Sequence, residues 1–134
     1  MQKHSAILEQ FEKALARFQE ILEKDKDEII RDSAIKRFEF TFDLLWKLVK
    51  LFLEEKLGVV CHSPKGCFRD AFHQGLLDYD EFWLAIVDMR NDATHLYSER
   101  EADKIYENLP KVQEYFKILF VKIKECETEQ GMGS

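Results

Sequence analysis

Glycine and proline are scarce in this chain, with five Gly and two Pro among 134 residues. Few turns can be built from them. That excludes a sandwich or barrel of many short strands and favours long helices. No apolar run approaches the roughly 20 residues that span a bilayer, so no membrane segment is expected. The opening stretch "MQKHSAILEQFEKAL" has neither an apolar core nor the small-residue cleavage site of a secretory signal, which points to the cytoplasm. Positive charge is in deficit: 20 Lys and Arg face 26 Asp and Glu, for a net charge of −6. No global field draws such a chain to nucleic acid, so any RNA contact must be local or supplied by a partner. Cysteine is sparse too. Three residues, an odd number, argue for free thiols at Cys61, Cys67 and Cys126 in a reducing compartment. The run "CHSPKGC" with nearby His73 fits no common zinc spacing, and no metal is expected. Carboxylate clusters for a catalytic metal, a glycine-rich phosphate loop and a nucleophile paired with a base are all missing, so no cofactor is expected either.

What the chain does have is apolar periodicity. Apolar residues make up 46% of it, including 11 Phe, enough for one core. Ile7, Phe11, Leu15, Phe18 and Leu22 recur at spacings of three and four and predict a first amphipathic helix. Asp25 and Glu28 are placed as a capping box for the next one. The stretch "DEIIRDSAIKRFEFTFDLLWKLVKLFLEEKLG" predicts a long second helix stopped by Gly58. It carries two apolar stripes, Phe38, Phe42, Leu45, Val49 and Phe52, and Phe40, Leu44, Leu48 and Leu51. Together they are too wide for one neighbour, which predicts a central helix that also meets a second subunit in a homodimer. Its remaining stripe is charged, with Asp43 and Lys47 spaced to pair.

Ser63 and Pro64 predict the start of a short helix with Phe68, Ala71 and Phe72 inward. Asp78 and Glu81 are a second capping box, before a helix that faces Phe82, Trp83, Ile86 and Met89 to the core. Ser98 and Glu101 are a third. The last stripe runs through Ile105, Leu109, Val112, Phe116, Leu119 and Ile123, with a kink or restart expected at Pro110. The fold class is therefore all-α, an antiparallel bundle of about five helices. Residues 1–127 form one domain, and residues 128–134 a frayed tail.

One stretch is not used up by packing: "MRNDATHLYSER", Met89 to Arg100. Asn91, Asp92 and Thr94 favour helix ends, so Arg90-x4-His95-x-Tyr97 straddles a corner between two helices. On an unbroken helix Arg90 and His95 would stand about 140° apart, at about 100° per residue. They share a site only if the chain turns between them, or if copies from two subunits meet across a two-fold axis. A structural reading makes Arg90 a helix-end cation, His95 a loop residue and Tyr97 an apolar staple. A chemical reading starts from the imidazole and guanidinium, the groups that metal-free RNA cleavage requires. His95 can move a proton to or from the ribose and leaving oxygens, and Arg90 can bind phosphate with two hydrogen bonds. One His supplies one proton-transfer role, and a symmetric dimer supplies two.

The order and spacing of "RFEFTFDLLWKLVK", "SPKGCFRDAFHQGLL" and "FWLAIVDMRNDATHLYSE" resemble the HEPN superfamily, small helical dimers with an Arg-x(4–6)-His motif. More narrowly, they resemble the nucleotidyltransferase substrate-binding proteins, encoded beside a minimal nucleotidyltransferase. The resemblance implies a two-component module. Its HEPN subunit is a metal-independent ribonuclease toxin, and its nucleotidyltransferase is the antitoxin, able to attach AMP to the motif tyrosine. Carried onto this chain, the implied catalytic pair is Arg90 and His95, with Asn91 in support, and the implied modification target is Tyr97. The rival expectation within the same family is a non-catalytic subunit that holds a nucleotide or acceptor for the nucleotidyltransferase.

Overall fold

The computed structural model describes residues 3–133, with side chains described as far as Glu127. The frayed tail expected over 128–134 lies outside the described side chains. Five helices follow one another: α1 (Lys3–Leu22), α2 (Glu28–Leu57), α3 (Pro64–His73), α4 (Phe82–Ala93) and α5 (Glu99–Gly133). No strand occurs among the described residues. The 30-residue α2 is the centre, packed against all four other helices, whereas α1 touches only α2 and α5. The first predicted stripe of α2 is fully interior, with Phe38, Phe42, Leu45, Val49 and Phe52 all buried. The second divides: Leu48 is buried, Leu44 and Leu51 are half-buried, and Phe40 is 62% exposed.

Aromatic rings join the helices into one seam. Phe38 of α2 stacks on Phe116 of α5 at 6.3 Å between centroids, and Phe116 also meets Phe11 and Phe18 of α1. Phe68 of α3 stacks on Trp83 of α4 at 4.9 Å, and Trp83 in turn faces Phe116. Five helices thus meet through rings that bury large apolar area and prefer tilted or offset contact. His4 is also fully buried, at the edge of Phe52, with Glu55 and Glu127 at its ring nitrogens.

The helix ends follow local chemistry, though two sit away from their predicted positions. α2 is capped by Asp27, not Asp25: its carboxylate accepts the Ile30 N–H at 2.7 Å, three residues on, whereas Asp25 stands five residues before that N–H. Gly58 closes α2 with φ +67°, the left-handed conformation a side chain resists. Ser63 caps α3 through the Gly66 N–H, with Pro64 in the first turn. At α4 the expected Asp78–Glu81 box does not form. Asp80 accepts the Phe82 N–H at 2.9 Å, because the Tyr115 hydroxyl on α5 holds its other oxygen. That hydroxyl, with the Phe82 N–H, keeps the Asp80 carboxyl below its ordinary range. At α5 half of the box forms as expected: the Glu101 N–H donates to Ser98 Oγ, while the Glu101 carboxylate accepts the N–H of Tyr97, one residue before the cap. α5 neither stops nor restarts at Pro110, which faces solvent.

Three further expectations need correction. Phe72 is not inward but 36% exposed, because α3 ends one residue later and leaves its ring against His73 and Tyr79. Leu22 is half-buried, and Ile21 takes the core position as α1 ends. Cys61 and Cys67 are not free thiols. The α2–α3 connection and the first turn of α3 bring their Cα atoms to 5.1 Å, and a disulfide joins them. Composition alone carries no information about that proximity.

Phe116 carries the test of the seam. Phe116→Ala should lower stability by about 3–5 kcal/mol, read from urea denaturation. A loss below about 1 kcal/mol would show that the seam re-closes without it.

Candidate functional site at the α4–α5 corner

α4 ends at Ala93, and the chain turns before Ser98 caps α5. The turn is short and tight: the Thr94 N–H reaches Asn91 O at 3.3 Å, and the His95 N–H reaches Asp92 O at 3.0 Å. Ala93 is buried and Leu96 half-buried against the core, so both sides of His95 are anchored while His95 itself is exposed. The helix does break between Arg90 and His95, which is one of the two ways the motif could become a site.

The turn does not bring all four candidate residues, Arg90, Asn91, His95 and Tyr97, together. Asn91, His95 and Tyr97 line one open groove of about 570 Å³, walled on α5 by Glu101, Lys104, Ile105 and Asn108 and reaching Met89, Asp92 and Leu96. That volume accommodates a nucleotide-sized ligand. Tyr97 is 84% exposed, so its hydroxyl is open to solvent and to a partner protein. Arg90 is not among the lining residues. Its Nε and Nη2 donate to the two oxygens of Asp43 on α2, both at 3.0 Å, and Nη1 lies 3.6 Å from Glu39. Thr94 Oγ1 takes a further hydrogen bond from Nη1. The fork is bidentate, the strong geometry for a guanidinium and a carboxylate. Hydrogen bonding to Asp43 pushes the Arg90 pKa up, against the opposing effect of partial burial.

Asp43 is thus the residue the sequence misdirects. Helical spacing assigned it to Lys47, four places on, yet it faces the end of α4. Only the α2–α4 packing reveals this, and no local pattern encodes it. Among the described residues no group of His, Cys, Asp and Glu is arranged to hold a metal ion. No helix among them is long and apolar enough to cross a membrane.

Known proteins share this architecture. The family model described as nucleotidyltransferase substrate binding protein like matches residues 6–125. A Haemophilus influenzae protein named probable ribonuclease HepT is 31% identical over 77 residues, 54% of this chain and 53% of that protein. The match thus spans about half the length of that curated relative. A Thermus thermophilus protein of known crystal structure superposes with a TM-score of 0.75 at 37% identity, over 86% of this chain and 96% of its own. A second structure, from Haemophilus influenzae and described as the fold of a substrate binding domain of a nucleotidyltransferase, superposes with a TM-score of 0.64. At 21% identity over 90% of this chain and 96% of that one, it supports the fold alone.

The Arg90–Asp43 pair generates a prediction of its own. Both side chains are partly exposed, 22% and 50%, so Asp43→Asn should lower stability by less than about 1 kcal/mol. It should, however, free the guanidinium, seen as a sharpened, mobile Arg90 Nε–H resonance by NMR. An unmoved resonance would mean that Glu39 and Thr94 suffice to hold it.

Proposed function

This chain belongs to the nucleotidyltransferase substrate binding protein-like family, and from that premise we propose that it is the HEPN-type subunit of a two-component module whose other member is a minimal nucleotidyltransferase. In this reading two copies pair, and the α4–α5 groove is a metal-independent endoribonuclease site that AMP on Tyr97 switches off. One observation carries the reading: an exposed imidazole and an exposed phenol line the same nucleotide-sized groove.

The chemistry follows from the side chains. A ribose 2′-oxygen loses its proton and attacks the adjacent phosphorus. The bond to the 5′-oxygen breaks, and that oxygen takes a proton. His95 serves one of these transfers and His95 of a second copy the other. Asn91 is a neutral hydrogen-bonding group beside them, and Arg90 is the cation implied for the phosphate. For the switch, the Tyr97 oxygen attacks the α-phosphorus of ATP, pyrophosphate leaves, and the phenolic proton passes to solvent or a base on the nucleotidyltransferase. The product places a bulky anion two residues from His95, where it obstructs the groove and repels RNA phosphate.

A specific observation favours a second reading. The Arg90 fork is already filled by Asp43 and Glu39, so its charge is largely neutralised before any phosphate arrives. A non-catalytic subunit that holds a nucleotide or acceptor for the nucleotidyltransferase needs no free guanidinium.

Digestion of RNA in EDTA separates the two. Wild type should cleave, and His95→Ala should lose about 10²–10⁴-fold in rate; Arg90→Ala should also be impaired. If wild type leaves RNA intact but binds nucleotide in a His95-dependent way, the binding-subunit reading stands instead. Separately, incubation with the nucleotidyltransferase and ATP should add the mass of AMP to wild type and leave Tyr97→Phe unmodified. A mass gain that persists in Tyr97→Phe removes the switch.

A further inference from the structure

The cation sharing the groove with His95 is not the motif arginine. Arg90 does not line it: Asp43 of α2 holds Nε and Nη2, and Nη1 donates to Thr94 with Glu39 of α2 3.6 Å away. Among the residues that line the groove, the one Lys or Arg is Lys104. It stands on α5 one turn after Glu101 and one turn before Asn108, on the face turned to the His95 corner. Its ammonium has no carboxylate within ion-pairing distance among the described residues. The neighbouring acid Asp103 is taken up by Lys26 at 2.9 Å and Arg31 at 3.2 Å. Glu101 is engaged with the Tyr97 N–H at 3.0 Å. Asp92 and Glu101 also line the groove, so without Lys104 its charged groups would all be carboxylates, and it would repel any phosphate.

We propose that Lys104 is the phosphate-contacting residue of this groove, and that its ligand is the phosphodiester next to the base or ribose that His95 faces. This rests on the reading of the groove as an RNA site and sharpens it: Arg90 becomes a positioning residue that ties the end of α4 to α2, and Lys104 supplies the charge. A lysine suits the task as a compact, strongly hydrated point charge that needs no planar fork. The same ammonium is the nearest groove cation for the phosphate of an AMP carried by Tyr97. The modification would then act by occupying Lys104 as well as by bulk.

The test is fluorescence anisotropy with a labelled, unpaired 2′-O-methyl oligoribonucleotide, which binds but cannot be cleaved, over a series of NaCl concentrations. Wild type is compared with Lys104→Ala, Lys104→Arg and, as a control away from the groove, Lys111→Ala. Lys104→Ala should weaken binding about tenfold and flatten the salt dependence by about 0.7 in logarithmic slope, the loss of one phosphate contact on a single strand. Lys104→Arg should restore most of both, and Lys111→Ala should match wild type. An unaltered slope and affinity in Lys104→Ala overturns the assignment of Lys104 while the wild-type binding keeps the RNA reading of the groove. Absence of wild-type binding overturns both together. Lys104 is exposed, so the variant should fold, and a matching thermal melt identifies any loss as local.

Discussion

Every other helix in this bundle is held by its contact with α2, and that single dependence shapes both the core and the corner that carries the motif. A helix with only one apolar face can anchor one layer. α2 has apolar residues around most of its girth, so α1, α3, α4 and α5 each find a surface on it. Its charged face is not left to solvent everywhere. Where α4 ends, Asp43 and Glu39 emerge from α2 and meet Arg90. The packing that buries Phe42 and Leu45 therefore also decides which way the motif arginine points.

How much of this could be read from sequence varies with how local each cause is. The five helices, the central role of α2, the Gly58 stop, the Ser63 and Ser98 caps and the whole buried stripe of α5 follow from periodicity and short-range hydrogen bonding. They act within a few residues, and so they are visible in the chain itself. The α2 cap at Asp27, Leu22 and Phe72 are local misses, helix ends placed a residue or two off; the others have the opposite character. Asp80 replaces Asp78 at α4 because Tyr115, 35 residues away, holds it. Asp43 leaves Lys47 for Arg90, 47 residues away. The Cys61–Cys67 disulfide depends on how the α2–α3 connection folds back on the first turn of α3.

The motif shows the same division. That Arg90-x4-His95-x-Tyr97 lies at a corner was legible from Asn91, Asp92, Thr94 and the Ser98 cap. That the corner would put Asn91, His95 and Tyr97 on one groove, with Arg90 turned toward α2, was not. A motif written as a string suggests that its groups act at one point. In three dimensions the string is cut by the packing of α4 on α2, and a residue outside it, Lys104, enters through α5. The HEPN resemblance names a set of residues, but a resemblance carries no direction for a side chain.

Pro110 has a consequence for the stiffness of α5. Proline has no N–H, so the carbonyl one turn earlier, on Tyr106, lacks its helical donor, and the ring crowds that turn. The helix continues past that point with one backbone hydrogen bond missing. On one side of that point lie Glu101, Lys104 and Asn108, which wall the groove; on the other lie Val112, Phe116 and Leu119, all buried in the core. The missing bond lies on the exposed face of α5, with Ile105 and Leu109 buried before it and Val112 and Phe116 buried after it. A bend of α5 at Pro110 would shift Glu101, Lys104 and Asn108 relative to Val112 and Phe116, and with them the wall of the groove.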